Sequence, residues 1–433
     1  MGEKGPHPPI ASVSGLYIRG VPRWVVNRTE TVLVVGGGVT GVGVARDLAM
    51  RGVDVTLAER GTFAGGTSGR SHGLLHSGAR YAVDDLRGAK ECLEESEVLK
   101  QIAPHCLDET GGFVVQVEGD DPDYFERVRE ACDELGMGTE TLTGEEARTE
   151  EPGLVKEVER VLRVPDGVVH PSRLTVANGM DASERGAEVL SGTGVTDLRL
   201  EDGRVAGATL EREGESREID VSYVVNAAGP WAGAVAGLAG CEVEMAPTSG
   251  VMVAVEYDSL GTVLNRARAP DDGDIVIPHP EEAILGTTAR SIDDPDEVPE
   301  EEWEVEAMFE ECGAMLSGLD PEQVTRTYWG VRPLYSEDRE TWEGRGISRG
   351  FYLLDHGERD GVEGLVTITG GKLTTYRGMA EATTDFVCRD LGVDEPCRTA
   401  EELLWGADDP EALDRAVVET DARNPADADL LPT

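Results

Sequence analysis

Residues 31–35, Thr-Val-Leu-Val-Val, are a β-branched apolar run of buried-strand length, and they lead without a break into Gly36-Gly37-Gly38-Val39-Thr40-Gly41. A helix is predicted over 42–50, Gly52 ends it, and 53–58 read as a second strand closing on Glu59. Strand, glycine-rich turn, helix and strand in this order open a parallel βαβ unit, because the helix supplies the crossover that parallel strands need. The spacing has a physical reason. Glycines at 36, 38 and 41 let backbone N–H groups and a helix N-terminus approach a pyrophosphate with no Cβ in the way. Glu59 follows Gly38 by 21 residues, where a carboxylate at the end of the second strand accepts from ribose hydroxyls. The motif alone is a weak signal; set between a strand and a helix and followed by Glu59, it reads as dinucleotide binding, with Glu59 as a plain surface acid the alternative.

Two further turns have the same character. A buried strand over 221–225 runs into Asn226-Ala227-Ala228-Gly229-Pro230-Trp231-Ala232, and a strand over 364–369 breaks at Gly370-Gly371, where a helix to about 390 is predicted to begin. Residues 61–81 are small, polar and glycine-dense, unlike the helix and strand that continue a plain NAD domain. They suit a chain wrapping along the ribityl and pyrophosphate of a flavin, so FAD is the cofactor expected. Its candidate contacts are Gly36, Gly38, Gly41, Glu59, Thr67, Ser68, Ser71, Gly229, Gly370, Gly371, Leu373 and Thr374. Lys372, at the expected helix start, adds a full charge beside the positive end of that helix, where it would stabilise negative charge on a reduced flavin.

The remaining text alternates. Residues 84–105 and 124–136 read as helices, 186–225 as strands and turns with a hairpin at Asp202-Gly203, and 245–335 as short strands with acidic loops at 270–274 and 293–302 and a helix near 303–316. The division expected is an N-terminal extension over 1–30, a core over 31–390, and a short acidic tail over 391–433, possessing one helix and frayed from Asn424. Cofactor-binding segments fall at about 31–110, 175–245 and 345–390, and substrate-domain segments at about 111–174 and 246–344.

Charge narrows the partners. Of 433 residues, 85 are Asp or Glu and 39 are Lys or Arg, a net charge of −46. Such a body repels nucleic acid and anionic lipid at long range, so no nucleic-acid partner is expected. Only five cations are Lys, at 4, 90, 100, 156 and 372. An acidic, lysine-poor surface resembles that of salt-adapted proteins, with an acidic protein of ordinary surroundings as the alternative. The seven cysteines form no C-x-x-C pair, which predicts reduced thiols, no metal centre and a cytoplasmic setting. No apolar run is long enough to span a bilayer, and 1–30 do not read as a secretory leader.

Six pieces together resemble the FAD-dependent glycerol-3-phosphate dehydrogenase family, of the kind found as the A-type chain of the anaerobic enzyme, within the wider group of flavoproteins similar to D-amino-acid oxidase. They are Gly36 to Gly41, His76-Ser77-Gly78-Ala79-Arg80-Tyr81, the turn at 226–232, Gly286-Thr287-Thr288, Gly330-Val331-Arg332-Pro333-Leu334, and 370–377, Gly-Gly-Lys-Leu-Thr-Thr-Tyr-Arg. The resemblance implies an α/β fold in which a Rossmann-like FAD-binding domain is interleaved with an antiparallel-sheet substrate domain. It also implies oxidation of sn-glycerol 3-phosphate to dihydroxyacetone phosphate, with Arg332, Arg349 and Lys372 on the phosphate and Arg80 and Tyr81 closing the site. A base is needed for the C2 hydroxyl, and His76 and His356 are the candidates, each with a structural role as its alternative. Departures are local: Ser77 stands where a glycine is common, and His170 where an Asp is usual. Cys397 has no companion suited to an iron-sulfur centre, so electrons are expected to leave for membrane quinone by way of a partner subunit, with the chain peripheral to the membrane. Rival readings are a related FAD-dependent hydroxy-acid or amino-acid oxidase, needing a single carboxylate-binding Arg, and a non-catalytic FAD-binding subunit of an electron-transfer complex.

Overall fold

The computed structural model describes residues 31–335 and 350–431. β1 (Thr31–Val35), α1 (Val39–Met50) and β2 (Asp54–Ala58) form the parallel crossover, in register from Thr31 opposite Asp54 to Val35 opposite Ala58. Every residue of β1 is buried, as a strand covered on both faces requires. Six strands make this sheet, in the order Phe351–Asp355, Leu365–Gly370, Tyr223–Asn226, β1, β2, Glu188–Leu190. All neighbours are parallel except the edge strand Phe351–Asp355. The three strands that precede glycine-rich turns therefore lie side by side and end on the same edge, with Val35 beside Asn226 and Asn226 beside Thr367.

Helices Pro171–Glu184 and Tyr376–Leu391 flank α1 on one face of the sheet. Small residues permit the approach: a Cβ on Gly43 would stand 3.1 Å from the ring of Tyr376. The other face is covered by the helix Ala232–Gly237 and by a meander of Gly194–Glu201, Arg204–Arg212 and Glu215–Asp220. Asp202 and Gly203 both take positive φ, 51° and 80°, the pairing that a two-residue hairpin of right-handed twist demands.

The second unit is a nine-stranded sheet assembled from residues 112–164 and 248–332. Its pairings are antiparallel except for one, Val263–Arg266 beside Gly112–Val117, which run parallel. That single parallel pair is the seam where the two chain segments meet. Helix Glu302–Gly313 packs on one face and Pro122–Glu134 on the other. No helix among the described residues is long and apolar enough to cross a membrane.

Three expectations need correction. The helix expected from Gly370 starts at Tyr376, because Gly370 and Gly371 take φ of 80° and 71° and the Thr375 hydroxyl turns the chain by bonding both backbone groups of Lys372. The substrate segment expected to run to 174 stops earlier: Pro171 opens a helix that packs on α1. Residues from Asn424 are not frayed. The Asn424 amide donates to the Phe63 carbonyl at 3.1 Å, and the buried Asp427 carboxylate accepts the N–H and O–H of Ser172 at 2.8 and 2.6 Å. The acidic tail holds the expected helix, Pro410–Glu419, and packs on the body: Leu404, Leu413 and Val417 are buried in the core around α1, and Arg173 grips Asp414 through two bonds of 2.7 and 3.0 Å. Residues 1–30 lie outside the described residues.

Candidate active site

A cavity of about 1020 Å³ opens where the three glycine-rich turns converge and continues under the second sheet. Gly36, Gly38, Val39 and Thr40 line it beside Glu59, Thr67, Ser68, Ser71, Gly229, Gly370, Gly371 and Leu373. α1 begins there with Gly38 as an uncapped N-cap, so the positive end of the helix faces the cavity, and the Val39 N–H donates to Ser68 Oγ at 3.0 Å. Glu59 accepts the N–H groups of Gly37 and Gly61, both at 2.6 Å, which fixes its carboxylate at the rim.

These residues fit FAD. A Cβ on Gly36, at φ 114°, would stand 2.6 Å from the Ala227 carbonyl oxygen, so glycine lets the first and second turns abut and form one wall. Trp231 lines the cavity with its indole Nε1 buried and, among the described residues, without a hydrogen-bond partner, a donor in search of an acceptor. Gly41 and Thr374 stand behind the wall. A Cβ on Gly41 would collide with the Gly36 carbonyl, and the Thr374 hydroxyl accepts the His76 N–H at 3.0 Å.

One stretch of the cavity wall is cationic and aromatic. The Lys372 ammonium sits 4.6 Å over the Tyr81 ring; Tyr81 leans on His76 at 5.1 Å between ring centres, with its hydroxyl 3.4 Å from His76 Nε2; and His72 stands edge-on to His76 at 6.0 Å. A Cβ added to Gly286 would stand 3.7 Å from His72 Cβ, and the next residue, Thr287, meets Arg332. The Arg332 guanidinium donates to the carbonyls of Thr288 and Ser249 at 2.9 and 3.4 Å and to the Thr287 hydroxyl at 3.4 Å. Lys372, Tyr81, His76, His72, Thr287 and Arg332 all line the cavity.

The segment carrying His76 and Tyr81 is pinned from behind by the buried Asp166, which accepts the Ser77 N–H at 2.7 Å and the Asn265 amide at 2.9 Å. Burial pushes its carboxyl above the ordinary range, against the pull of those bonds. Asp166 and His72 were not singled out from the sequence, although His72 lies in the glycine-dense stretch 61–81. His72 Nδ1 accepts the Leu74 N–H at 3.2 Å, leaving Nε2 as the ring's proton-bearing atom when neutral.

Two site residues expected from the sequence are not brought here. Arg80 does not line the cavity: it pairs at 2.9 Å with Asp274, a carboxylate from the 270–274 loop that is buried and also binds Arg268 at 2.7 Å. His356 does not line the cavity either: it is fully buried, with Nδ1 2.6 Å from Asp360 and Nε2 2.8 Å from the Thr367 hydroxyl, so both ring nitrogens are engaged away from it. Arg349 lies outside the described residues.

Comparison with known proteins agrees with this geometry. Residues 31–377 match the family model described as FAD dependent oxidoreductase. The chain is 48% identical over 396 residues to the A1 subunit of anaerobic glycerol-3-phosphate dehydrogenase from Haloferax volcanii, covering 89% of this chain and 68% of that one. It is 42% identical to the A-type subunit of anaerobic glycerol-3-phosphate dehydrogenase from Escherichia coli K12, over 89% of this chain and 71% of that one. The structure of glycerol-3-phosphate dehydrogenase from Bacillus halodurans complexed with FAD superposes with a TM-score of 0.67 at 26% identity, covering 90% of this chain and 70% of that one. The chain belongs to the FAD-dependent oxidoreductase family and, within it, to the family of A-type subunits of anaerobic glycerol-3-phosphate dehydrogenase.

Proposed function

We propose that this chain oxidises sn-glycerol 3-phosphate to dihydroxyacetone phosphate, with FAD as its cofactor. FAD, when bound, supplies the hydride acceptor for C2 of the substrate. The observation that carries the reading is the joint presence of Arg332, held by three acceptors, and Lys372, seated over Tyr81, on the wall of a dinucleotide cavity. A planar guanidinium and a compact ammonium match a phosphate dianion, whereas a carboxylate substrate asks for one cation.

In this reading Arg332 and Lys372 hold the phosphate, joined by Arg349, and Tyr81 closes the site over the substrate. His76 takes the C2 hydroxyl proton, its ring oriented by Tyr81 and its backbone by Thr374. Glu59 accepts from the ribose, the α1 N-terminus faces the pyrophosphate, and Thr67, Ser68, Ser71, Gly229, Gly370 and Gly371 shape the wall around the rest. The relatives are named as one lettered component of a larger enzyme, which supports a partner subunit, the next carrier of the electrons, with membrane quinone beyond it.

The test is anaerobic mixing of the purified flavoprotein with glycerol 3-phosphate, 2-hydroxyglutarate or glycine, read as loss of the flavin's visible absorbance. Glycerol 3-phosphate alone should bleach it. Bleaching by one of the carboxylates and not by glycerol 3-phosphate would transfer the chain to the oxidase reading, and no bleaching by any of the three would favour a non-catalytic role.

A further inference from the structure

A fully buried carboxylate stands behind the cationic wall without lining the cavity. Glu304, in the first turn of the helix Glu302–Gly313, is 0% exposed. Its Oε1 accepts the Thr288 hydroxyl at 2.6 Å and its Oε2 accepts the Trp329 indole N–H at 3.0 Å. Thr288 and Trp329 come from separate pieces of chain. Thr288 follows Thr287, which lines the cavity, and its carbonyl takes the 2.9 Å bond from Arg332; its hydroxyl also accepts the Val251 N–H at 3.0 Å. Trp329 lines the cavity three residues before Arg332 on the strand Val324–Arg332. A carboxylate offers acceptors on both oxygens, so it satisfies two donors at once. Burying a charge is costly unless its bonds are made, and Glu304 makes both.

We propose that Glu304 is a positioning residue for Arg332: by clamping Thr288 and Trp329 together, it fixes the Thr288 carbonyl that aims the guanidinium and so sets the site's affinity for the substrate phosphate. The chemistry is specific to a carboxylate. Glutamine has the same shape, but with its Oε1 on the Trp329 indole it turns its N–H₂ toward Thr288, so the Thr288 hydroxyl, which already accepts the Val251 N–H, must accept a second N–H and loses its charged acceptor. The Thr288 carbonyl then shifts relative to the cavity, while the cofactor turns, which belong to the other sheet, stay in place.

This rests on Arg332 being an anion-binding group of the site, and the test separates the two claims. Glu304→Gln and Thr288→Val, each purified with FAD, are compared with the wild type for flavin reduction by glycerol 3-phosphate and for binding of inorganic phosphate, followed as a perturbation of the flavin spectrum. Expected are a rise of about tenfold in KM for glycerol 3-phosphate and in the phosphate dissociation constant, kcat within about twofold of wild type, and unchanged FAD content. The double variant should be no weaker than the weaker single one, since both act through one link. An unchanged phosphate affinity in both variants overturns the proposal, as does a loss of kcat with KM intact, or a loss of FAD and folding with no change in anion affinity in the protein that remains. If the wild type binds phosphate but is not reduced by glycerol 3-phosphate, the functional reading fails while the phosphate titration of the variants still decides the role of Glu304. A wild type with no phosphate affinity overturns it.

Discussion

Replacing Gly36 by alanine tests the cofactor wall at its tightest point. Gly36 directly follows β1 at φ 114°, and the new Cβ would stand 2.6 Å from the Ala227 carbonyl oxygen, 2.9 Å from its carbon and 3.1 Å from Ala228 Cα. All three are backbone atoms, so no side chain can swing away. The positive φ costs an alanine about 1–2 kcal/mol, and forcing the overlap apart costs about 1–3 kcal/mol more. The total of roughly 2–5 kcal/mol divides between the stability of the protein without FAD and its hold on FAD, because relief requires the 36–41 and 226–232 turns to separate. Even about 2 kcal/mol expressed in cofactor affinity raises the FAD dissociation constant about 30-fold. Gly237→Ala is the control: nothing lies within 4 Å of its Cβ, its φ is not positive, and it closes the helix Ala232–Gly237. It should be neutral or stabilising by up to about 1 kcal/mol. The readouts are flavin content after purification, FAD titration by fluorescence quenching and thermal unfolding of both forms. A Gly36→Ala protein that purifies with full FAD, binds it within twofold of wild type and melts at the same temperature would refute the reasoning.

Three further outcomes are expected. His356→Ala should lower thermal stability by about 1–3 kcal/mol, since it removes the buried partner of the Thr367 hydroxyl, and leave the pH dependence of flavin reduction unchanged, whereas His76→Ala should slow reduction and remove its ionisation from the profile; comparable pH profiles in the two variants would count against this assignment. Asp108 has its carboxyl held below the ordinary 3.8, chiefly by the hydrogen bond from His170 and against burial. Its stabilising share is therefore complete above that unfolded value and fades as pH falls through the lower folded one, so Asp108→Asn should flatten the acid limb of a urea-stability profile, and an unaltered limb would contradict it. With a net charge of −46, melting temperature and apparent affinity for a dianionic substrate should both rise from dilute to molar KCl, where the screening length shrinks from about 10 to about 3 Å; a flat or falling response would remove salt adaptation as the reason for the composition.

The cofactor side of the molecule was legible because its signals are local. A glycine turn, the strand before it and the helix after it are contiguous, so Gly36, Gly38, Glu59 and Gly229 could be read directly from the sequence, as could the Asp202-Gly203 hairpin. Parallel order then brings three such turns to one sheet edge with no further information needed. The corrections share a different cause. Arg80 reads as a substrate cation until Asp274, 194 residues away, is seen to hold it. His356 reads as a base until Asp360 and Thr367 take both ring nitrogens. Asn424 and Asp427 look like the residues of a loose tail, yet their polar atoms bond Phe63 and Ser172 in the interior. Arg80, Asn424 and Asp427 are assigned by partners distant in sequence and His356 by near ones that the fold turns onto both its ring nitrogens, and neither periodicity nor composition records those pairings. Glu304 is the same phenomenon in reverse: in a helix whose first turn is acidic it is indistinguishable from a solvated glutamate, and only burial separates it from Glu302 and its exposed neighbours.

In the proposed function one cavity joins a flavin site to a phosphate-binding wall. The most direct measurement is anaerobic stopped-flow absorbance of the wild-type flavoprotein in molar KCl, mixed in turn with glycerol 3-phosphate and with glycerol. Rapid, saturable loss of the flavin's visible absorbance is expected with glycerol 3-phosphate and none with glycerol at the same concentration. An unchanged flavin spectrum with glycerol 3-phosphate, or equal reduction by the two, would contradict it.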